Sequence, residues 1–139
     1  MKHFELTFDG YWLDSKKEFL PNASGVYCVY SCTYNAEDNS VTLKKLLYVG
    51  ESDDVNKRIS THNKYDFWKT KLNYNETLCY SFAEINSGIR VQAEAAIIYT
   101  HRPICNIEYR YKFPFCSTKL TIKGNACFLK PDFLVTPTY

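Results

Sequence analysis

The sequence predicts an α/β fold: a small antiparallel three-stranded sheet flanked by helices, with extensions at both ends. Three observations predict it. A length of 139 residues, 45% hydrophobic and 23% charged, is that of a single domain spanning 1–139 with a core to bury. Two β-rich runs sit on either side of a polar turn, and a third strand pattern follows a helical stretch. The clearest helix comes last, which gives the order β-β-α-(α)-β-α, an α/β sandwich on an antiparallel sheet.

The first 24 residues read as an extension, with one short helical turn over Asp14–Leu20 stopped by Pro21. Gly25-Val26-Tyr27-Cys28-Val29-Tyr30 is the first buried strand. Tyr34–Ser40 is a polar turn, and Val41–Val49 is the second strand, ending at Gly50. Ser52-Asp53-Asp54 signals a helix start, with Ser52 as N-cap and two acids in the first turn, where the macrodipole favours them. Val55, Ile59 and His62 share a face of that helix, and Arg58 and His62, four apart, are neighbours on its surface. Tyr65–Leu72 forms a second short helix. Thr77–Ile85 is the third strand, by its Leu78/Tyr80/Phe82 alternation. Ile89–His101 is the main helix, with Val91, Ala95 and Ile98 as its apolar stripe and Pro103 beyond its end. Residues 117–130 add a hairpin around Lys123-Gly124-Asn125.

No apolar run is long enough to span a bilayer, and residues 1–5 lack a signal-peptide pattern, so the expected address is cytoplasmic. Six cysteines have no metal-site spacing and read as reduced, packed thiols. The net charge of +2 hides an uneven distribution. Residues 56–71 carry Lys57, Arg58, Lys64, Lys69 and Lys71 against Asp66 alone, interleaved with Tyr65, Phe67 and Trp68. Residues 101–139 carry six basic side chains against two acidic ones. Basic segments among aromatics suit a polyanion, although charge alone equally describes a solvated surface.

Five short features remain: Gly25-Val26-Tyr27, Tyr48-Val49-Gly50, Arg58 with His62, Glu94 among alanines, and Pro103-Ile104-Cys105-Asn106. Singly each is weak. In this order and spacing the set resembles the GIY-YIG nuclease family, with Val at the centre of both signature tripeptides. The family's helix arginine matches Arg58, a histidine one turn later matches His62, and the metal-binding glutamate matches Glu94. The late Pro-x-x-Asn matches Pro103 and Asn106. The resemblance covers residues 24–106 as a nuclease core and leaves 1–23 and 107–139 as extensions. The 20 residues between Tyr27 and Tyr48 exceed the usual spacing, which places an insertion at Tyr34–Lys45.

The resemblance implies a metal-dependent endonuclease that hydrolyses DNA phosphodiester bonds, with Mg²⁺ or Mn²⁺ on Glu94. Its catalytic set is Tyr27, Tyr48, Arg58, His62, Glu94 and Asn106. Such chemistry needs a nucleophilic water and stabilised charge on the phosphoryl oxygens, and a hydrated hard cation needs only one or two carboxylates. Arg58 offers a donor fork to a non-bridging oxygen. Tyr27 is expected to activate the water and Tyr48 to place the phosphate or that water. His62 is expected to assist proton transfer or hold a phosphate, and Asn106 to fix local backbone or orient Glu94. Lys57, Lys64, Lys69 and Lys71 are expected to grip flanking DNA. The alternative is a nuclease-like module that binds nucleic acid without cutting. One active site per chain means that cutting both strands needs a homodimer or two successive encounters.

Overall fold

The structure is a computed structural model that describes residues 1–139. Its elements are β1 (Lys2–Leu13), a 3₁₀ helix (Asp14–Phe19), β2 (Gly25–Asn35), β3 (Ser40–Ser52), α1 (Val55–Ser60), α2 (Tyr65–Lys69), β4 (Thr77–Glu84), α3 (Arg90–His101), β5 (Thr118–Gly124) and β6 (Asp132–Val135). No helix is long and apolar enough to cross a membrane.

The expected three-stranded antiparallel sheet flanked by helices is corrected. The strands form one six-stranded mixed sheet, ordered β3-β2-β4-β1-β5-β6, and α1 and α2 are only six and five residues long. The three expected strands lie side by side as β3-β2-β4, all antiparallel. They do not stand alone, because β1 pairs antiparallel with β4 and parallel with β5. The segment expected to be an N-terminal extension is therefore an interior strand. Its sequence alternates as strands do: Phe4, Leu6 and Phe8 are buried while Lys2, His3, Glu5 and Thr7 are exposed. The C-terminal segment continues the sheet as well. The hairpin expected within 117–130 instead pairs β5 with β6 at 132–135.

The interval between Tyr27 and Tyr48 is an extension of the hairpin arms rather than a loop. Pairing runs out to Asn35 opposite Ser40, with irregularities between Val29 and Tyr30 and between Ser31 and Cys32. In the first, Val29 faces Tyr48 and Tyr30 faces Leu46, so Leu47 is the extra residue.

That bulge has a packing consequence. One sheet face carries Val26, Cys28, Tyr30, Val49, Cys79 and Ala83 with Phe4, Leu6 and Phe8, and is covered by Ala93, Ala96 and Ile97 of α3. The other carries Tyr27, Val29, Tyr80 and Phe82 against Val55, Ile59 and Trp68 of α1 and α2. Leu46 packs on the first face and Tyr48 on the second, so the bulge breaks the strand parity that would have kept them together. Of the expected α3 stripe, Ala95 and Ile98 are buried, together with Ala93, Ala96 and Ile97, while Val91 is exposed. Of the six cysteines expected to pack, Cys28, Cys32, Cys79 and Cys105 are buried, whereas Cys127 is half-buried and Cys116 is exposed.

If β1 is an interior strand, removing residues 1–13 strips three buried apolar side chains, worth about 1.5–3 kcal/mol each, and unpairs two strand edges. We expect the shortened chain to lose its cooperative urea transition and its near-ultraviolet circular dichroism. A retained transition would make β1 dispensable.

Candidate active site

The edge strand β3 is where the two sheet faces meet, and the site is built around that edge. Tyr27, on the interior strand β2, lies opposite Gly50 of β3. A Cβ at Gly50 would collide with the ring and hydroxyl of Tyr27, so glycine is what lets the phenol lie across the strand. Gly25 is constrained in the same way by the Phe82 ring and the Ala83 carbonyl. The glycines of both tripeptides thus make room for aromatic rings.

A cleft of about 450 Å³ opens at this edge. It is lined by Tyr27 and Tyr48 from the sheet, Arg58 from α1, Glu94 and Ile98 from α3, Asn106, and also Glu51, Lys64, Ile107 and Glu108. Of the expected catalytic residues the structure brings together Tyr27, Tyr48, Arg58, Glu94 and Asn106. The Tyr27 and Tyr48 ring centroids are 6.3 Å apart.

His62 does not line the cleft. It was expected one helical turn beyond Arg58, but α1 stops at Ser60. The Ser60 and Thr61 hydroxyls both donate to the Lys57 carbonyl, at 2.8 and 3.2 Å, the acceptor that a further helical turn would use. The chain then turns His62 inward. Its ring is 4.4 Å from Trp68 and edge-on to Tyr48 and Tyr27 at 5.3 and 6.2 Å. Its Nδ1 accepts the Lys64 N–H at 3.0 Å. Burial and the charges of Arg58 and Lys64 push its pKa down to about 4, so the ring is neutral at physiological pH. It buttresses the tyrosines from behind.

The helix cap also differs from expectation. Asp54, not Ser52, caps α1, accepting the Lys57 N–H at 3.1 Å. Asn106 fixes backbone: Oδ1 accepts the Val49 N–H at 3.0 Å and Nδ2 donates to the Val49 carbonyl at 2.9 Å. With Cys105 N–H donating to the Leu47 carbonyl at 2.9 Å, residues 105–106 act as a short partner for the edge strand.

Among the four lysines expected at DNA, Lys64 lines the cleft. Lys57 borders an adjoining polar groove with Asp53, Asp54 and Thr61. Lys69 and Lys71 sit over the rings of Tyr65 and Phe67, at 5.1 and 4.8 Å, away from the cleft lining.

Electrostatics mark the centre of the cleft. Burial, followed by the charges of Glu51 and Glu108, pushes the Glu94 carboxyl up to about 8. Burial raises Tyr27 well above its ordinary value while Arg58 pulls it back, and burial raises Tyr48 to about 12. Three carboxylates thus face two phenols, with Glu51 already paired to Arg90. Sequence reasoning missed Glu51 and Glu108. Glu51 shares strand parity with Val49, whose side faces α3, so its position was recoverable. Glu108 depends on how the segment after α3 docks, and carried no local signal.

A family model for the GIY-YIG catalytic domain matches residues 25–110. The chain belongs to the GIY-YIG nuclease family. No curated protein and no solved structure matches it. The two GIY-YIG tripeptides are the paired β2 and β3 segments at the cleft, and β1, β5 and β6 lie outside the matched span.

The tyrosine-on-glycine contact sets a prediction. In Gly50→Ala the added methyl must displace the Tyr27 ring, at a cost of about 1–3 kcal/mol in unfolding free energy. Urea denaturation measures this, and an unchanged midpoint would show that the ring has room to move.

Proposed function

We propose that this chain is an endonuclease that hydrolyses DNA phosphodiester bonds with a divalent cation, Mg²⁺ or Mn²⁺, on Glu94. The observation that carries the reading is the convergence of Tyr27, Tyr48, Arg58 and Glu94, from two strands and two helices, on one cleft at the β3 edge.

The donor set suits a hard cation. Glu94, Glu51 and the two phenols offer oxygen only, and no three His, Cys, Asp or Glu side chains converge tightly enough to enclose an ion. That favours a largely hydrated ion held by one carboxylate, the binding habit of Mg²⁺. The crowding that holds Glu94 protonated up to about 8 is relieved by positive charge beside it. When bound, the cation would supply charge stabilisation at the phosphoryl oxygens and help a nearby phenol to ionise.

The remaining work belongs to the side chains. Arg58 presents its guanidinium to a non-bridging oxygen. Tyr27, whose ionisation burial opposes and Arg58 favours, takes the proton of the attacking water. Tyr48, less buried, positions the phosphate or that water. His62 holds both rings in place, and Asn106 holds the strand that carries Tyr48. The rival reading, binding without cutting, is separated by plasmid cleavage with Mg²⁺ or Mn²⁺, with and without chelator.

In Glu94→Gln we expect cleavage to vanish while DNA affinity stays within a few fold. Mg²⁺ should raise the thermal midpoint of the wild type, by the equivalent of about 2.7 kcal/mol at a hundredfold excess over its dissociation constant, and leave the variant unmoved. Full activity in the variant sinks the assignment of the metal to Glu94.

The tyrosines separate by pH. A general base acts deprotonated, so the rate climbs with pH until its phenol is ionised. Tyr27→Phe should lower the single-turnover rate by about 10²–10⁴-fold and remove that ascending limb, whereas Tyr48→Phe should slow the reaction and keep it. An intact limb in Tyr27→Phe would place the base elsewhere.

A further inference from the structure

Beyond the cleft the chain carries a second cationic feature. After α3, Arg102 adopts a left-handed backbone (φ 47°) and the segment runs along the β3 edge. At Tyr109 it turns again (φ 63°). The turn sends the two tyrosines of Tyr109-Arg110-Tyr111 opposite ways. Tyr109 packs inward, 6.0 Å from Phe115, while Tyr111 remains 72% exposed.

Tyr111 is exposed but not bare. The Arg102 guanidinium lies 5.3 Å from the Tyr99 ring centroid and 5.2 Å from that of Tyr111, and the Arg110 guanidinium lies 5.4 Å from Tyr111. Rings and guanidiniums alternate in the order Tyr99, Arg102, Tyr111, Arg110. Arg102 Nε donates to the Arg110 carbonyl at 2.7 Å, which locks the segment's return onto α3. The protein's ion pairs are Lys17–Asp14, Arg90–Glu51 and Lys123–Glu5, so neither of these guanidiniums has a carboxylate partner. Arg110 Nε is closed to water and lacks an acceptor, a cost borne by the free protein.

Two cations without carboxylate partners repel each other, a cost that the rings and the Arg102 hydrogen bond offset within the fold. The arrangement does suit a polyanion. Guanidiniums held over aromatic rings have already given up side-chain freedom, and the Arg102 side chain remains exposed to a passing phosphate. The place fits too: Ile107 and Glu108, just before the turn, line the cleft.

We propose that Arg102, Tyr111 and Arg110 form a second DNA contact that clamps two backbone phosphates of the strand leaving the cleft. This rests on the nuclease reading. The clamp reads no bases, so it contributes affinity and register rather than sequence preference.

The test is binding of a fluorescent duplex, and of its single strand, by fluorescence anisotropy in chelator over a salt series. In R102Q/R110Q the duplex slope of log affinity against log salt should flatten by about 1.8, two contacts at 0.9 each. R102K/R110K should keep the wild-type slope yet bind several-fold more weakly, because a lysine head lacks the planar donor fork of a guanidinium. The Arg110 side chain makes no hydrogen bond within the protein, so R110Q alone, losing about 0.9, carries the test should the double variant fail to fold. A folded R110Q or R102Q/R110Q with wild-type slope and affinity overturns the clamp and leaves the nuclease reading standing. A wild type that binds neither duplex nor single strand overturns both.

Discussion

The Tyr27 ring crosses β3 at Gly50, and the cleft follows from that crossing. An interior strand is a poor place for a reactive group, because both its faces are covered. β2 is buried from Gly25 to Cys32. Laying its phenol over the one β3 position without a side chain lets a residue of the rigid interior reach the sheet edge. There Arg58, from the layer over one face, and Glu94, from the layer over the other, close on it. The same edge needs Asn106 and Cys105, which occupy backbone groups of β3 that would otherwise be open to another strand.

Burial and charge pull against each other throughout this centre. Desolvation keeps Tyr27, Tyr48 and Glu94 neutral, and the neighbouring carboxylates strengthen that effect. The protein supplies cations sparingly: Arg90 is spent on Glu51, which leaves Arg58 and Lys64 facing the cleft. In such a site the uncharged forms of the two phenols and of Glu94 are favoured, and added positive charge would favour their ionised forms.

The residues that the sequence exposed most clearly are those fixed by local geometry. Tyr27 and Tyr48 sit in tripeptides whose glycines have a steric reason, and Glu94 sits on a helix long enough to read from its pattern. His62 was misplaced because two hydroxyls ended α1 early, a competition that helical spacing does not reveal. The Leu47 bulge was invisible for a similar reason, since one extra residue reverses the face of everything beyond it. β1 was a different case. The alternation of Phe4, Leu6 and Phe8 was legible, but nothing nearby in sequence could be its partner.

That separation shapes how the protein comes into being. β1 stands between β4, some 70 residues on, and β5, which begins at Thr118. On a ribosome it emerges before either of its neighbours. Its apolar side chains stay exposed until late in synthesis, while the β2–β3 hairpin, closed by its own short turn, can form at once. The edge that carries the cleft is thus drafted early on local contacts, and the sheet that steadies it is completed later, when the parallel β1–β5 pair closes across most of these residues.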